Sequence, residues 1–367
     1  MMKKNMQLTD AAIAVLKDQQ RNGIQQKSLS DEQLELIYRN KWFKIWVPQS
    51  LNGLGLDLVG GLSLLKELAY WDGGLAWTVT LCAGANLFVG FIDPAVGQDI
   101  FTSKKVCFGG SGQIAGIAER EGKSYRLKGL WKYATGAPHL THFTLNAYIQ
   151  EDGQQLLDEG GNPLVKSFFV AREFVLIHYD WDTFGLEATA SHSFSLDNIR
   201  VDEKQSFFID ASKSTGTELL YQYPFMPFAE LTLLVNFMGM YHRFLDLIEK
   251  LFVLKSNRGK WEQMESKAAF RMLDEMQQDY IESAHSVMDL AARSWENLKN
   301  ELDNSSLYAR IAIESRNFVE TILSNVIKLY PHTGIAGAEA DSEINILFRN
   351  IFTASQHKLL QKGFSQT

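Results

Sequence analysis

An α+β fold in three parts is predicted for this chain: an N-terminal helical domain over residues 1–103, a central β-barrel or sandwich domain over 104–212, and a C-terminal four-helix bundle over 213–367. Three changes of pattern carry the prediction. From Leu8 to about Ser103 apolar residues recur at three and four spacing, which buries one stripe of a helix. From about Val106 to Phe208 short runs of β-branched and aromatic residues alternate with Gly, Asp and Asn turns. After Thr217 the helical spacing returns in long stretches rich in Leu, Phe and Met.

The helical part breaks at Pro48, at the Gly53 to Gly55 turn, at Gly73-Gly74 and at Asp93-Pro94. Leu75 to Ile92 carries no charge, but it contains Thr78, Thr80, Asn86 and two glycines, so it reads as a helix buried among other helices rather than a membrane span. Strands are expected at Tyr125 to Leu127, His142 to Ile149, Ser167 to Val170 and Ser193 to Leu196. The charged runs Glu119-Arg120-Glu121 and Asp202-Glu203-Lys204 read as solvated turns. Helices are expected over Leu231 to Lys255, Met264 to Leu298, Leu307 to Leu329 and Ile344 to Leu360, the last capped by Asp341, Ser342 and Glu343.

Composition narrows the function. With 367 residues, 46% hydrophobic and 22% charged, the chain can bury a large core and is neither disordered nor fibrous. Lys plus Arg number 36 against 43 acidic residues, and a net charge of -7 offers no field for nucleic acid. Cys82 and Cys107 have neither disulfide-framework nor zinc spacing, which suits a reducing cytoplasm. Met1 to Asp10 lacks the apolar core of a signal peptide, and no membrane association is expected. His139-x-x-His142 reads as two structural histidines, with no metal site. Walker, Rossmann and nucleophile-elbow motifs are absent.

Four segments in this order resemble the acyl-CoA dehydrogenase superfamily over nearly the whole chain. Val47-Pro48 followed by Asn52-Gly53-Leu54-Gly55 is similar to its entry turn, where Gly53 and Gly55 are expected to supply positive φ values. Leu68-Ala69, Asp72 and Ala76-Trp77 follow its next helix. Gly129-Leu130-Trp131-Lys132-Tyr133-Ala134-Thr135-Gly136 resembles the strand and turn that carry a flavin ring, and Phe108-Gly109-Gly110-Ser111-Gly112 resembles the loop around the flavin edge. Gly185-Leu186 through Ser191-His192 resembles the G-L-R-x-T-x-S segment, with Glu187 in place of the usual Arg. Gly334-Ile335-Ala336-Gly337 and Arg349 resemble the C-terminal turn and Arg that approach the dinucleotide of a neighbouring subunit, although Pro331 stands where a Gln is usual.

The resemblance implies FAD or FMN as cofactor, held by Ser111, Gly112, Trp131, Tyr133, Thr135, Gly136, Gly334, Gly337 and Arg349. Thr135 is expected to offer its hydroxyl to the flavin nitrogen N5. The dehydrogenases' glutamate base would fall at Lys358, which cannot serve. His357 matches instead the histidine of the two-component flavin-dependent monooxygenases, and Ser191-His192 resembles that branch's variant of the third segment. Such a histidine deprotonates a phenol or indole, or steadies an oxygenated flavin by a hydrogen bond. Glu230 is the candidate for a relocated dehydrogenase base. Three functions stay open: a reduced-flavin monooxygenase acting on a small organic substrate, an acyl-CoA dehydrogenase, and a scaffold without cofactor. The expected partners are a small-molecule substrate, a separate flavin reductase and further copies of the chain, as a homodimer or homotetramer.

Overall fold

The computed structural model describes residues 8–259 and 261–363. The signal-peptide reading rests largely on residues 1–7, which lie outside the described residues. The chain opens with α1 (Asp10–Gln26), α2 (Asp31–Arg39), α3 (Leu58–Trp71), α4 (Gly73–Asn86) and α5 (Pro94–Phe101). Their starts are set by side-chain caps: Thr9, Ser30, Asp57, Asp72 and Asp93 each accept a first-turn N–H, which satisfies donors the helix itself cannot.

The strands follow as β1 (Phe108–Glu121), β2 (Ser124–Ala134), β3 (His142–Glu151), β4 (Gln154–Gln155), β5 (Val165–Ala171), β6 (Leu176–His178), β7 (His192–Asp202) and β8 (Ser206–Phe207). Among the described residues they form one eight-stranded mixed sheet, ordered β6-β7-β2-β1-β3-β5-β8, with β4 beside β3. Among the described residues only the β1–β3 pair is parallel. The stretch expected as a glycine loop, Phe108 to Gly112, is instead the start of the longest strand. Glu119 to Glu121 ends that strand, and Glu121 holds Arg126 across the hairpin at 2.8 Å.

The C-terminal part comprises α6 (Phe225–Asn257), α7 (Gln263–Lys299), α8 (Ser305–Leu329), the short α9 (Ile335–Ala338) and α10 (Glu343–Ala354). This is the order of helices, sheet and long helices that the resemblance implies. Helix α6 begins six residues before the predicted start, and α10 stops at Ala354, leaving His357 beyond it. Ser342 precedes α10 without a side-chain cap bond, while Glu343 takes both ends of the Arg243 guanidinium at 2.6 and 2.9 Å.

Helix α4 is the hinge of the packing. The segment Gly73–Gly90 is apolar enough to cross a membrane by composition, but 89% of it is buried inside the protein, as its embedded polar residues imply. Asn86 ties it to Phe43 O and to the N–H of Phe108, so the first helices and the sheet are fastened to one side chain. Asn236 of α6 donates to Thr80 at 2.7 Å on its other side. Helices α3 and α6 meet at Gly239, where a Cβ would lie 2.3 Å from the carbonyl of Lys66.

In the entry turn Gly55 has φ +58°, as expected. The other left-handed residue is Asn52, at φ 60°. Gly53 is needed for space instead, since a Cβ there would sit 1.9 Å from Val47 O.

His139 and His142 are separate structural groups, the first stacked on Phe43 and the second tilted against Phe108, and among the described residues no cluster of His, Cys, Asp or Glu is placed to hold a metal. Burial pushes both imidazoles down to about 4. Their folded values lie below the unfolded one, so they favour the fold above the unfolded pKa, and this contribution is lost as pH falls toward 4. Urea unfolding at about pH 5 is therefore expected to show His139→Phe losing about 1 to 2 kcal/mol less, relative to pH 7.5, than the parent protein.

Candidate functional site

The site grows from the end of β2. Across β2, β7 and β6 the register pairs Leu130 with Ser195 and Leu176 on one face, and Trp131 with Phe194 and Ile177 on the other. The first face is open, with Leu130 and Leu176 exposed. The second is core. Alternation would send Tyr133 inward with Trp131, but the register shifts between Trp131 and Ala134, and Tyr133 takes φ 70°. Its ring is thereby thrown outward, 58% exposed, edge-on to Trp181 at 6.1 Å.

Thr135 follows, buried, with Gly136 at φ +78° turning the chain away. The Gly136 N–H donates to Thr189 O at 2.8 Å, which joins β2 to the turn of residues 186–191. That turn is bracketed by Leu186 and Ala190, both left-handed at φ 55° and 44°. Together with Tyr133 they put three non-glycine residues of positive φ in one place, the kind of strain that collects at functional sites. The Leu186 N–H reaches Asn350 Oδ1 of α10 at 2.7 Å.

Within this frame the hydroxyls form a row. Thr135 Oγ1 lies 2.9 Å from Ser191 Oγ, Ser191 Oγ lies 2.9 Å from Thr189 Oγ1, and Thr189 donates to Leu186 O at 2.8 Å. His192 is buried beside them, its Nδ1 accepting the Trp181 N–H at 2.9 Å, so its ring proton sits on Nε2. Burial lowers its pKa despite Asp180 nearby, which keeps it neutral at pH 7.

Helix α4 closes the site from below. Its Cys82 edge faces the sheet, with Sγ 3.7 Å from Thr135 O, and its Thr80 edge faces α6. Between these edges, at helical spacing, lies the stripe Trp77, Leu81 and Gly84. Leu81 and Gly84 are partly exposed, and a Cβ on Gly84 would meet nothing within 4 Å. Gly112 on β1 has the same open space, while neighbouring Ser111 is tucked in and accepts the Gln113 N–H. Asn236 Oδ1 is buried without a hydrogen-bond partner among the described residues. An open shelf with bare glycines fits a flat ring system. A separate depression of about 300 Å³ lies between Lys17, Trp71 and Glu343.

His357 stands at the Trp77 end of the stripe, its ring edge-on to the indole at 6.1 Å. It caps the final turn, Nδ1 accepting the Leu359 N–H at 3.4 Å, and crowding by protein lowers its pKa although the residue keeps an exposed surface. Lys358 beside it is exposed.

Three of the expected site residues are engaged elsewhere in this chain. Glu230 is buried within the bundle, and its carboxylate accepts Arg316 Nη2 at 2.7 Å, so the side chain points to α8 rather than to the shelf. Trp131 has no exposed surface; its ring covers Gly116 and Gly129, stacks on Phe194 at 5.4 Å and donates to Asn146 O, so its side chain supports the sheet. Arg349 is held inside its own chain by Glu187, Phe184 O and Asn345 Oδ1. Glu187 and Arg349 thus compensate each other, and Glu187 Oε2 has no further partner among the described residues. Gly337 is packed against Thr333, while Gly334 and the 79% exposed Ile335 face outward, away from this chain's own shelf elements in sequence and packing.

Trp181, Thr189 and Ser191 were not among the expected site residues. The Thr-x-Ser spacing of residues 189–191, one segment away from Thr135, was the available signal.

No family model matches the chain. It is 21% identical over 60% of its length to an indole-3-acetate monooxygenase of Pseudomonas putida, covering 55% of that protein. It is 20% identical over 53% of its length to the oxygenase subunit HsaA of a flavin-dependent monooxygenase of Rhodococcus jostii, covering 50% of it. The chain thus spans about half the length of the curated relatives it matches. Among solved structures it superimposes on XiaF from Streptomyces in complex with FADH2 with a TM-score of 0.84 at 20% identity, over 96% of this chain and 90% of that one. The complex of TdsC from Paenibacillus with FMN and indole gives 0.76 at 15% identity, over 95% and 92%. The chain has the acyl-CoA dehydrogenase-like fold. Its curated likenesses are monooxygenases, one of them the oxygenase subunit of a flavin-dependent enzyme.

Truncating Glu187 leaves the Arg349 guanidinium in a largely buried place without its counter-charge. Glu187→Ala is expected to cost about 2 to 3 kcal/mol in urea unfolding, and Glu187→Ala with Arg349→Ala clearly less than the sum of the two single changes.

Proposed function

We propose that this chain is the oxygenase component of a two-component flavin-dependent monooxygenase, taking reduced FAD or FMN from a separate reductase and acting on a small aromatic substrate. The observation that carries this reading is the division of labour at the shelf. A histidine stands at its rim on Trp77, while the one candidate carboxylate base, Glu230, is committed to Arg316 in the bundle. Proton abstraction from an acyl thioester needs a carboxylate facing the flavin, so the dehydrogenase reading loses its base. The named substrates and ligands of the relatives, indole-3-acetate and indole, are aromatic, as is the exposed ring of Tyr133 at the shelf.

Bound reduced flavin would supply the activation of molecular oxygen. Thr135 at the lip would meet N5, Tyr133 and Gly136 would border the ring, and Gly112 with Ser111 would follow its edge. His357 would hold the substrate by donating its Nε2–H, since Nδ1 is taken by the Leu359 N–H; burial lowers its pKa and so favours the neutral imidazole at pH 7. The exposed turn at Gly334 would approach the flavin of a second copy, so the working form would be a homodimer or homotetramer. Its buried free cysteines suit a reducing cytoplasm.

The test mixes the purified chain with FMN or FAD, NADH, a flavin reductase and indole, and follows oxygen-dependent hydroxylated product. Product is expected only with all components, and bleaching of bound oxidised flavin by an acyl-CoA panel in its place would return the chain to the dehydrogenases. His357→Ala is expected to lower product formation about 100-fold with flavin affinity retained. In the parent protein the rate should stay level through pH 7 and fall only on the acid side of the ordinary histidine range, as the imidazole takes up a proton.

A further inference from the structure

The row of hydroxyls behind Thr135 has a direction. Leu186 O is a carbonyl and can only accept, so the Thr189 hydroxyl proton is committed to it at 2.8 Å. A hydroxyl carries one proton, and Thr189 Oγ1 therefore accepts from Ser191 across their 2.9 Å contact. The Ser191 proton is then spent as well, and at 2.9 Å from Thr135 the serine oxygen must accept. The Thr135 proton points at Ser191, and Thr135 Oγ1 keeps only lone pairs for anything at the lip. The row is buried throughout, so water does not compete for it: Thr135 is 6% exposed, Ser191 3% and Thr189 0%.

We infer that Ser191 and Thr189 are positioning residues that fix Thr135 as a hydrogen-bond acceptor, and that this makes the site selective for reduced over oxidised flavin. The inference rests on the proposed flavin reading and deepens it. Reduced flavin carries a hydrogen on N5 and can donate it to Thr135. Oxidised flavin presents a lone pair at N5, which needs a donor and here meets another lone pair. An oxygenase component that draws its cofactor from solution faces both forms. A chain of three hydroxyls ending on Leu186 O sorts them by the sign of one hydrogen bond. The bulge at Tyr133 and the two left-handed residues Leu186 and Ala190 hold this row in line.

The experiment measures dissociation constants of the full chain for oxidised FMN and FAD, and for the same flavins reduced with dithionite under anaerobic conditions. Reduced flavin is expected to bind more tightly. Ser191→Ala frees the Thr135 hydroxyl to donate, and the preference for reduced flavin should fall about three- to tenfold, the worth of one hydrogen bond. For this two-electron couple a tenfold fall lowers the midpoint potential of bound flavin by about 30 mV. Thr189→Val, close in shape to threonine, should move the ratio the same way and decides the matter if Ser191→Ala does not fold. Thr135→Ser should retain the preference, and Thr135→Val should lose affinity mainly for the reduced form. A ratio unchanged in folded Ser191→Ala or Thr189→Val overturns the inference while leaving the flavin reading standing. A parent protein that binds neither form overturns both.

Discussion

The hydrogen bond from the Gly136 N–H to Thr189 O, 2.8 Å long, is the contact on which the site depends. It joins the end of a strand to a turn that the C-terminal helices carry through Asn350. Three structural parts therefore meet at one backbone bond. Gly136 has to be left-handed to present that N–H, and a Cβ there would press on His139. The same bond brings the Thr135 side chain within reach of Ser191, and every hydroxyl behind it follows.

Charge is handled locally. A buried glutamate in the turn and an arginine on α10 neutralise each other, so the shelf offers no free cation from that pair to an anionic group. Glu230 and Arg316 do the same inside the bundle. Buried pairs of this kind give little net stability but are costly to break from one side. The shelf gathers neutral groups as well: hydroxyls, aromatic rings, glycine backbone and two histidines with lowered pKa values. Such a surface suits flat, uncharged ring systems.

Much of the helical architecture could be read in advance because long helices announce themselves by period. The apolar segment around α4 was legible as buried, since its threonines and asparagine demand partners that only protein supplies there. Strand β1 was missed because four of its first nine residues are glycine, which carries no periodicity, and because its bulge interrupts the alternation. His357 was placed on a helix by extending the apolar spacing of α10 past Ala354, where the chain in fact turns. Trp131 was assigned to the ligand by motif, but a side chain's face on a strand is settled by register, and here the register sends it to the core.

The sequence by itself determined the order of helices, strands and helices, the turn chemistry at Gly55 and Gly136, and which residue types could do redox work. The order and the Gly55 turn follow from local preference and from burial patterns that each segment carries alone, while Gly136 and the redox residues are what the family resemblance implies. Only the tertiary structure decided which of those residues face one another. Glu230 turned to Arg316, Glu187 was matched with Arg349 across 162 positions, and the Thr135 hydroxyl found Ser191. Such pairings arise between segments far apart in the chain, so neither partner's neighbourhood contains the information. Packing supplies it by leaving each buried polar group a single place to go.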